Sequence, residues 1–485
     1  MVCLLAGMLL PFAFSPYEYS FLAIISVAIL FYEWKDTKPG PAFLYGYAFG
    51  AGSFGVGVNW LHISINLFGG VNLVGALFIT YLLIAFIALY PALVGYVTRK
   101  YFHQQPTIYM VVITPSIWIL FEWCRSWIFT GFPWLNLGYS QVDTPLAGLA
   151  TITGVYGISW TVCLTAAILI QILKSNHRQK LLLTLAMLFI WIGCSYLVNI
   201  QWVKQKQQTI NVAIIQGGIA QEDKWKPENQ EYTRDLYLAL SSKHLDSDLI
   251  VWPETAIPAL YNLADYFITP IKTLSTQHNV SFITGIPVRD SESGKFYNSI
   301  ITIGDRENFY HKRHLVPFGE FLPFDKWIRP FFNFLHIPMS NFSPGGNNKP
   351  LLYAAGQNIG VSICYEDVFG EEVIDALPEA SVLVNISNDA WFGDSMAPHQ
   401  HLQMARLRAL ETGRFMLRST NTGISAIINE KGKILSRSPQ FKPHTLSANI
   451  KLFDGLTPYA RYGNYPIILL TVLLLLTFGI IKRGK

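Results

Sequence analysis

Charge is what this chain has least of. Asp, Glu, Lys and Arg make up 14% of its 485 residues, against about 25% in a typical soluble domain. That deficit excludes a disordered polyelectrolyte and a nucleic-acid binder built on basic patches. Cysteine is also scarce, with five in all at positions 3, 124, 163, 194 and 364, which excludes a disulfide-stapled scaffold. The sequence contains no C-x-x-C, no H-E-x-x-H and no P-loop, so neither a metal nor a nucleotide site has support in it. Internal repeats and low-complexity tracts are absent too.

Apolar residues are abundant, 51% hydrophobic and 14% aromatic, and they are unevenly spread. Residues 1–199 hold eight Lys/Arg and five Asp/Glu, and 466–485 hold three Lys/Arg and no acid. The stretch 200–465 therefore keeps 25 bases and 26 acids. Two composition classes meet near residue 200. The formal charge of +5 comes from the apolar ends, and the near-neutral middle implies no polyanionic partner.

A membrane-spanning helix needs about 20 mostly apolar residues. Eight stretches approach or reach this: 2–14, 20–34, 39–61, 73–97, 107–121, 145–173, 181–199 and 466–481. The first lacks a basic leader and a small-residue cleavage site, so it reads as a retained span. The third carries Gly46, Gly50, Gly52, Gly55 and Gly57, small residues that let helices approach closely in lipid. Basic residues follow the even-numbered spans: Lys35 and Lys38, Arg99 and Lys100, Lys174, Arg178 and Lys180, then Lys482, Arg483 and Lys485. Arg125, after the fifth span, is the exception. Those basic ends are expected in the cytoplasm and the 200–465 segment on the opposite side. Glu122 and Arg125, near the end of the fifth span, read as a local ion pair at the interface. Residues 130–134 (Thr-Gly-Phe-Pro-Trp) read as an interfacial aromatic loop. The expected division is 1–199, 200–464 and 465–485.

In the polar middle, short β-branched runs recur at 210–215, 249–252, 280–284, 299–303, 359–364, 382–386 and 424–428. Helical patterns cover 229–241, 264–277 and 399–412. Strands alternating with helices predict a layered α/β fold. Two of the strands run directly into reactive groups: Ile250-Val251-Trp252-Pro253-Glu254, and Val361-Ser362-Ile363-Cys364-Tyr365-Glu366. Between them lies a basic run, His311-Lys312-Arg313-His314, followed by Pro317-Phe318-Gly319-Glu320. Active sites in α/β folds gather at strand ends. A thiolate at Cys364 is a nucleophile, Glu254 a general base, and Lys312 a fixed charge for a tetrahedral oxyanion. Taken singly, each has a plainer reading: a turn carboxylate, a solvated lysine, a small hydrophobe. His311, His314, His399 and His401 read as surface or supporting groups, because the set already has its base.

In this order, 58 then 52 residues apart, the three segments resemble the nitrilase superfamily. Within it the chain resembles the apolipoprotein N-acyltransferase family over essentially its whole length. The likeness is carried by Phe14-Ser15-Pro16-Tyr17, Asn59-Trp60, the 130–134 loop, Gly138-Tyr139-Ser140-Gln141, Ile215-Gln216-Gly217, Lys224-Trp225 and Trp252-Pro253-Glu254. It continues through Leu315 to Glu320, Ile363 to Glu366, Ser387 to Gly393, Arg418 to Asn421 and Gly455 to Tyr459, and in the layout of seven spans plus one.

The resemblance implies an α-helical membrane bundle of eight transmembrane helices joined to an αββα nitrilase-like sandwich. It implies a Glu254–Lys312–Cys364 triad, the Tyr365 N–H as second oxyanion donor, and Glu320 holding Lys312. Tyr365, Glu366 and Trp225 match further supporting or substrate-binding residues needed for activity; an interfacial anchor is the plainer reading of Trp225. The implied reaction moves an acyl chain from a phospholipid, phosphatidylethanolamine by the family pattern, through a Cys364 thioester. The acceptor is the amine of a diacylglyceryl-cysteine apolipoprotein. The implied location is a bacterial inner membrane with the catalytic domain periplasmic. No cofactor is called for, since an ester is already activated. The alternatives are a membrane-tethered amidase that transfers to water, and a non-catalytic membrane assembly factor or lipid-binding module.

Overall fold

A computed structural model describes residues 1–105, 107–321 and 341–480. Residue 481 and the basic residues 482, 483 and 485 after the last expected span lie outside these. The chain divides into two compact units. One comprises Met1–His62, Asn72–Gln201 and the chain from Arg461; the other comprises Ile63–Val71 and Trp202–Ala460.

The first unit is helical. Its helices include Val2–Leu9, Phe21–Trp34, Pro39–Gly57, Leu73–Ile87, Leu89–Tyr101, Thr107–Arg125, Ala150–Lys174, His177–Leu197 and Tyr465–Ile480. Three stretches, Leu73–Tyr101, Pro145–Lys174 and His177–Leu197, are long and apolar enough to cross a membrane; Val2–Ala13, Phe21–Trp34 and Tyr465–Phe478 are shorter apolar helices. Close packing depends on small residues. A methyl group on Gly46 would stand 2.4 Å from the Pro91 carbonyl oxygen, so Pro39–Gly57 meets Leu89–Tyr101 only without a Cβ there.

Glu122 and Arg125, both on the helix Thr107–Arg125, each bond to other residues. Both are buried. Glu122 accepts from Trp118 Nε1 (2.7 Å) and Ser159 Oγ (2.6 Å), while Arg125 donates to the Trp134 carbonyl (2.5 Å) and Asn136 Oδ1 (2.6 Å). A charge inside a helical bundle must find partners there, since lipid offers none. The 130–134 loop is therefore folded inward at its end: Trp134 is buried and packs on Phe132 and Trp60.

The second unit is a two-sheet sandwich. Its strands are β1 (Lys204–Gln216), β2 (Leu249–Val251), β3 (Ser281–Arg289), β4 (Phe296–Ile303), β5 (Phe309–His311) and β6 (Leu351–Ala354). They continue with β7 (Gln357–Ile363), β8 (Val382–Ser387), β9 (Met416–Thr420), β10 (Ala426–Ile428), β11 (Ile434–Arg437) and β12 (His444–Asp454). One sheet runs β12-β1-β2-β3-β4-β5, the other β11-β10-β9-β8-β7-β6. In each, three neighbouring strands are parallel, β1-β2-β3 and β7-β8-β9, and the rest pair antiparallel.

Side chains alternate across each strand. Val212, Ile214, Val251 and Ile283 of the first sheet share one core with Val361, Ile363, Val384 and Leu417 of the second. The opposite faces are covered by helices. Tyr237 of Gln230–Ser241 and Phe267 and Ile271 of Asp265–His278 pack on Ile250, Trp252 and Phe282. Leu402, Ala405 and Ala409 of Met396–Thr412 pack on Leu383 and Met416. Each large apolar side chain among these contributes roughly 1.5–3 kcal/mol when fully buried. The order helix, sheet, sheet, helix matches the layered sandwich expected of the 200–464 region.

Candidate active site

All three candidate reactive residues follow strand ends. β2 stops at Val251, and Trp252-Pro253 carries the chain to Glu254. The turn that presents Glu254 is pressed onto β3: Trp252 N–H donates to Ile283 O (2.8 Å) and Gly285 N–H to Pro253 O (3.2 Å). A methyl group on Gly285 would stand 2.3 Å from Thr255 N and 2.7 Å from Glu254 Cα, so no other residue allows this approach. Thr255 takes φ +45°, a left-handed conformation costly for a β-branched residue.

β7 stops at Ile363, and Cys364 adopts φ +51°. A non-glycine residue held there stores strain that surrounding bonds must sustain. Those bonds are present. Asn385 Nδ2 donates to the Cys364 carbonyl (3.3 Å), and Ile363 N–H donates to Glu366 Oε2 (2.7 Å). Glu366 Oε1 accepts from Tyr310 Oη (2.8 Å), Arg313 N–H (2.6 Å) and His314 N–H (3.2 Å). With both oxygens occupied by its own chain, Glu366 ties the Cys364 turn to the segment carrying Lys312. Of the supporting and substrate-binding parts expected of this residue, the bond set fits the supporting one.

Lys312 follows β5, and its side chain is 1% exposed. Nζ lies 2.8 Å from Glu320 Oε2 and 2.9 Å from Oε1. Glu320 Oε2 also accepts from Val316 N–H (2.8 Å). Asn298, on β4, joins the two carboxylates: its Nδ2 stands 2.7 Å from Glu254 Oε1 and 3.0 Å from Glu320 Oε1. Behind Glu254, the buried Lys224 donates to the Glu254 carbonyl (3.0 Å) and Thr255 Oγ1 (2.5 Å).

These charges set one another. Burial pushes the Glu254 carboxyl above its ordinary value, Lys312 pulls it back, Glu320 pushes it further up, and the net direction is up. Burial opposes the Lys312 ammonium, but Glu320 and Glu254 outweigh it and its pKa rises. Burial and the Glu254 charge push the Cys364 thiol up against the pull of Lys312. Burial lowers Lys224 to about 8, against the attraction of Glu254. Glu254 and Cys364 are thus both pushed toward their neutral forms, and Lys312 is held as an ammonium pinned by Glu320.

Tyr365 is buried, with its ring between His314 and Phe369. Trp225 is partly exposed (37%), next to the buried Lys224. His311 bonds Ser299 Oγ (2.7 Å) and stacks on Tyr297. His314 stacks on Phe369 and bonds Glu372 (2.6 Å). His401 is not at the surface: it is 4% exposed, between Asp367 and Asp389. No group of three or more His, Cys, Asp or Glu among the described residues could hold a metal ion.

Residues 6–168 match the apolipoprotein N-acyltransferase N-terminal domain, and residues 211–455 match the carbon-nitrogen hydrolase family. The apolipoprotein N-acyltransferase of Methylococcus capsulatus is 41% identical over 96% of this chain and 93% of its own. This chain belongs to the apolipoprotein N-acyltransferase family. The enzyme of that name from Nitrosomonas europaea is 40% identical over 96% of this chain and 93% of its own, and that from Vibrio parahaemolyticus is 39% identical over 98% and 95%. The solved structure of Saccharomyces cerevisiae Nit3, of the nitrilase superfamily, aligns at 18% identity and TM-score 0.40 over 59% of this chain and 99% of that one.

Within this family member, sequence reasoning did not single out Lys224, Asn298, Asn385, Ser387, Asp389 and Arg418, and it read His401 as a surface or supporting group. Lys224, Ser387, Asp389 and Arg418 do fall in motifs that carry the family resemblance, and that was their one available signal.

Proposed function

We propose that this enzyme acylates the N-terminal amine of diacylglyceryl-cysteine apolipoproteins, taking the acyl chain from the sn-1 ester of a phospholipid, phosphatidylethanolamine in the family pattern. The single observation carrying the chemistry is the left-handed Cys364, whose turn Glu366 ties to the segment carrying Lys312, in a chain of this family.

In the first half-reaction Glu254 takes the Cys364 proton as Sγ attacks the ester carbonyl. The oxyanion of the tetrahedral intermediate forms beside Lys312 Nζ and the Tyr365 N–H. Collapse breaks the ester C–O bond, Glu254 returns the proton to the leaving alkoxide, and lysophospholipid departs. In the second half, the acceptor amine attacks the thioester. Its pKa is about 8, so Glu254 needs only to remove the proton shed on attack and pass it to the departing sulfur. The amide product forms and the thiol is restored. Glu320 holds Lys312 through both halves. Glu366 and Tyr365 shape the Cys364 turn, and the exposed Trp225 meets lipid or acceptor.

Both substrates are lipids, which accounts for the apolar first unit. We read it as seven spans, with an eighth after the catalytic domain, in a bacterial inner membrane with residues 200–464 periplasmic. Purified protein incubated with acyl-labelled phosphatidylethanolamine and a diacylated lipopeptide tests the reaction. An amide-linked labelled lipopeptide supports it. Labelled free acid alone identifies a hydrolase, and no turnover identifies a binding module.

A further inference from the structure

Ser362 on β7, Asn385 on β8 and Arg418 on β9 stand in register across three parallel strands, so their side chains share one face of the sheet. Their neighbours Val361, Ile363, Val384, Ile386 and Leu417 fill the core between the sheets. The polar row lies on the other face, beneath the helix Met396–Thr412, which brings His401. Asn385, Arg418 and Asp367 are fully buried, and Asp389 and His401 nearly so. Buried charges are tolerable only when paired, and these are. Arg418 donates to Asp367 Oδ2 (3.1 Å) and Asp389 Oδ2 (3.0 Å). His401 lies 2.6 Å from Asp367 Oδ1 and 3.2 Å from Asp389 Oδ1.

Arg418 Nη1 also donates to Asn385 Oδ1 (2.7 Å). Arginine carries donors only, so the Asn385 amide has a single orientation, oxygen toward Arg418 and NH2 away from it. The NH2 group is committed in turn, to Ser362 Oγ (3.0 Å) and to the Cys364 carbonyl (3.3 Å). The 364–365 peptide is trans, and in a planar trans peptide the N–H points opposite to the C=O. A Cys364 carbonyl held toward β8 therefore turns the Tyr365 N–H away from β8. Cys364 sits at φ +51°, where a non-glycine residue stays only under outside constraint, so this bond has a conformation to hold.

We propose that Asn385 is a positioning residue for the oxyanion: clamped by Arg418, it fixes the Cys364 carbonyl and thereby the direction of the Tyr365 N–H that receives the negative oxygen of both tetrahedral intermediates. Asn385 gives up no proton and acts only through the 364–365 peptide. The inference rests on the proposed reaction, with Cys364 as nucleophile and the Tyr365 N–H as donor.

Two reactions of the same sulfur separate this role from a general one. Acylation by phospholipid passes through an oxyanion. Alkylation by iodoacetamide displaces iodide from a saturated carbon and builds none. Both are followed on the full-length protein in detergent, the first as single-turnover lysophospholipid release from phosphatidylethanolamine, the second on the Cys364 peptide across pH. Asn385→Ala removes the clamp, and Asn385→Leu removes it while keeping the volume. Losing an oxyanion donor outright costs about a hundredfold or more, so misdirecting one should slow acylation about tenfold to a hundredfold. Cys364 alkylation should keep the parent's rate and pH dependence. If Asn385→Ala unfolds, Asn385→Leu decides by the same two readings. Acylation at the parent's rate would overturn the proposal. So would alkylation falling in step with acylation, or moving in both variants to the curve of a free thiol, about pH 8.5, because either assigns Asn385 to the fold of the nucleophile turn. Acyl transfer by Cys364→Ala is the separate outcome that removes the reaction on which the inference rests.

Discussion

Asn298 Nδ2 lies 2.7 Å from Glu254 Oε1 and 3.0 Å from Glu320 Oε1, so one amide group bridges the candidate base and the carboxylate that holds Lys312. Its orientation is forced, because two carboxylates can face only the NH2 end. The amide relieves repulsion between them and lowers the Glu254 pKa, against the burial that raises it. Asn298→Ala should therefore raise that pKa. Acylation by the variant should lose its activity at a higher pH on the acid side, with roughly tenfold lower rate at neutral pH. Asn298→Asp, a third carboxylate, should be worse. A pH–rate profile of lysophospholipid release checks both.

Lys312 is a point charge pinned by Glu320 at 2.8 Å. Removing an oxyanion donor costs on the order of 3 kcal/mol, or about a hundredfold. Lys312→Met should lose at least that in kcat. Lys312→Arg should recover little, because a planar fork places its charge elsewhere. Steady-state kinetics of the two variants distinguish these effects from a general loss of folding.

Lys224 places a second cation near Glu254 and lowers its pKa. Its own pKa is about 8, so at neutral pH it is mostly charged. Lys224→Met removes that attraction, and the acid limb of the pH–rate profile should move upward. The sign follows directly: a raised Glu254 pKa leaves less base at any pH below it. An unmoved limb would mean Lys224 serves only to anchor the Glu254 turn.

Alternating basic loops set the expected topology. A reporter fused near residue 300 should be active only outside the cytoplasm, and one near residue 103 only inside. The reverse pattern would reject the orientation.

Glu254 and Cys364 were legible because apolar strands end abruptly at chemistry. All seven expected strand segments fall on strands, and the three expected helices on helices. The missed strands show where pattern fails. β9 carries the fully buried Arg418, and a charged residue inside a strand reads as an edge or a loop unless its partners Asp367 and Asp389 are known. β12 alternates weakly, and β5, β6 and β11 span only three or four residues. Asn298 and Lys224 escaped for the same reason. A polar residue in a strand or a lysine in a polar turn looks solvated, and only tertiary contact buries it. The bond of Glu122 to Ser159 and that of His401 to Asp367 cross 37 and 34 residues, which local spacing does not show.

The most direct measurement is single-turnover acylation with phospholipid alone. A thioester divides one transfer between two bulky lipids into two steps. Labelled phosphatidylethanolamine should acylate Cys364 and release a near-stoichiometric burst of lysophospholipid without acceptor. Hydroxylamine should remove the label, and a diacylated lipopeptide added later should collect it. Cys364→Ala should give neither burst nor label. Lysophospholipid appearing only when the acceptor is present, or acyl transfer by Cys364→Ala, would contradict the covalent mechanism.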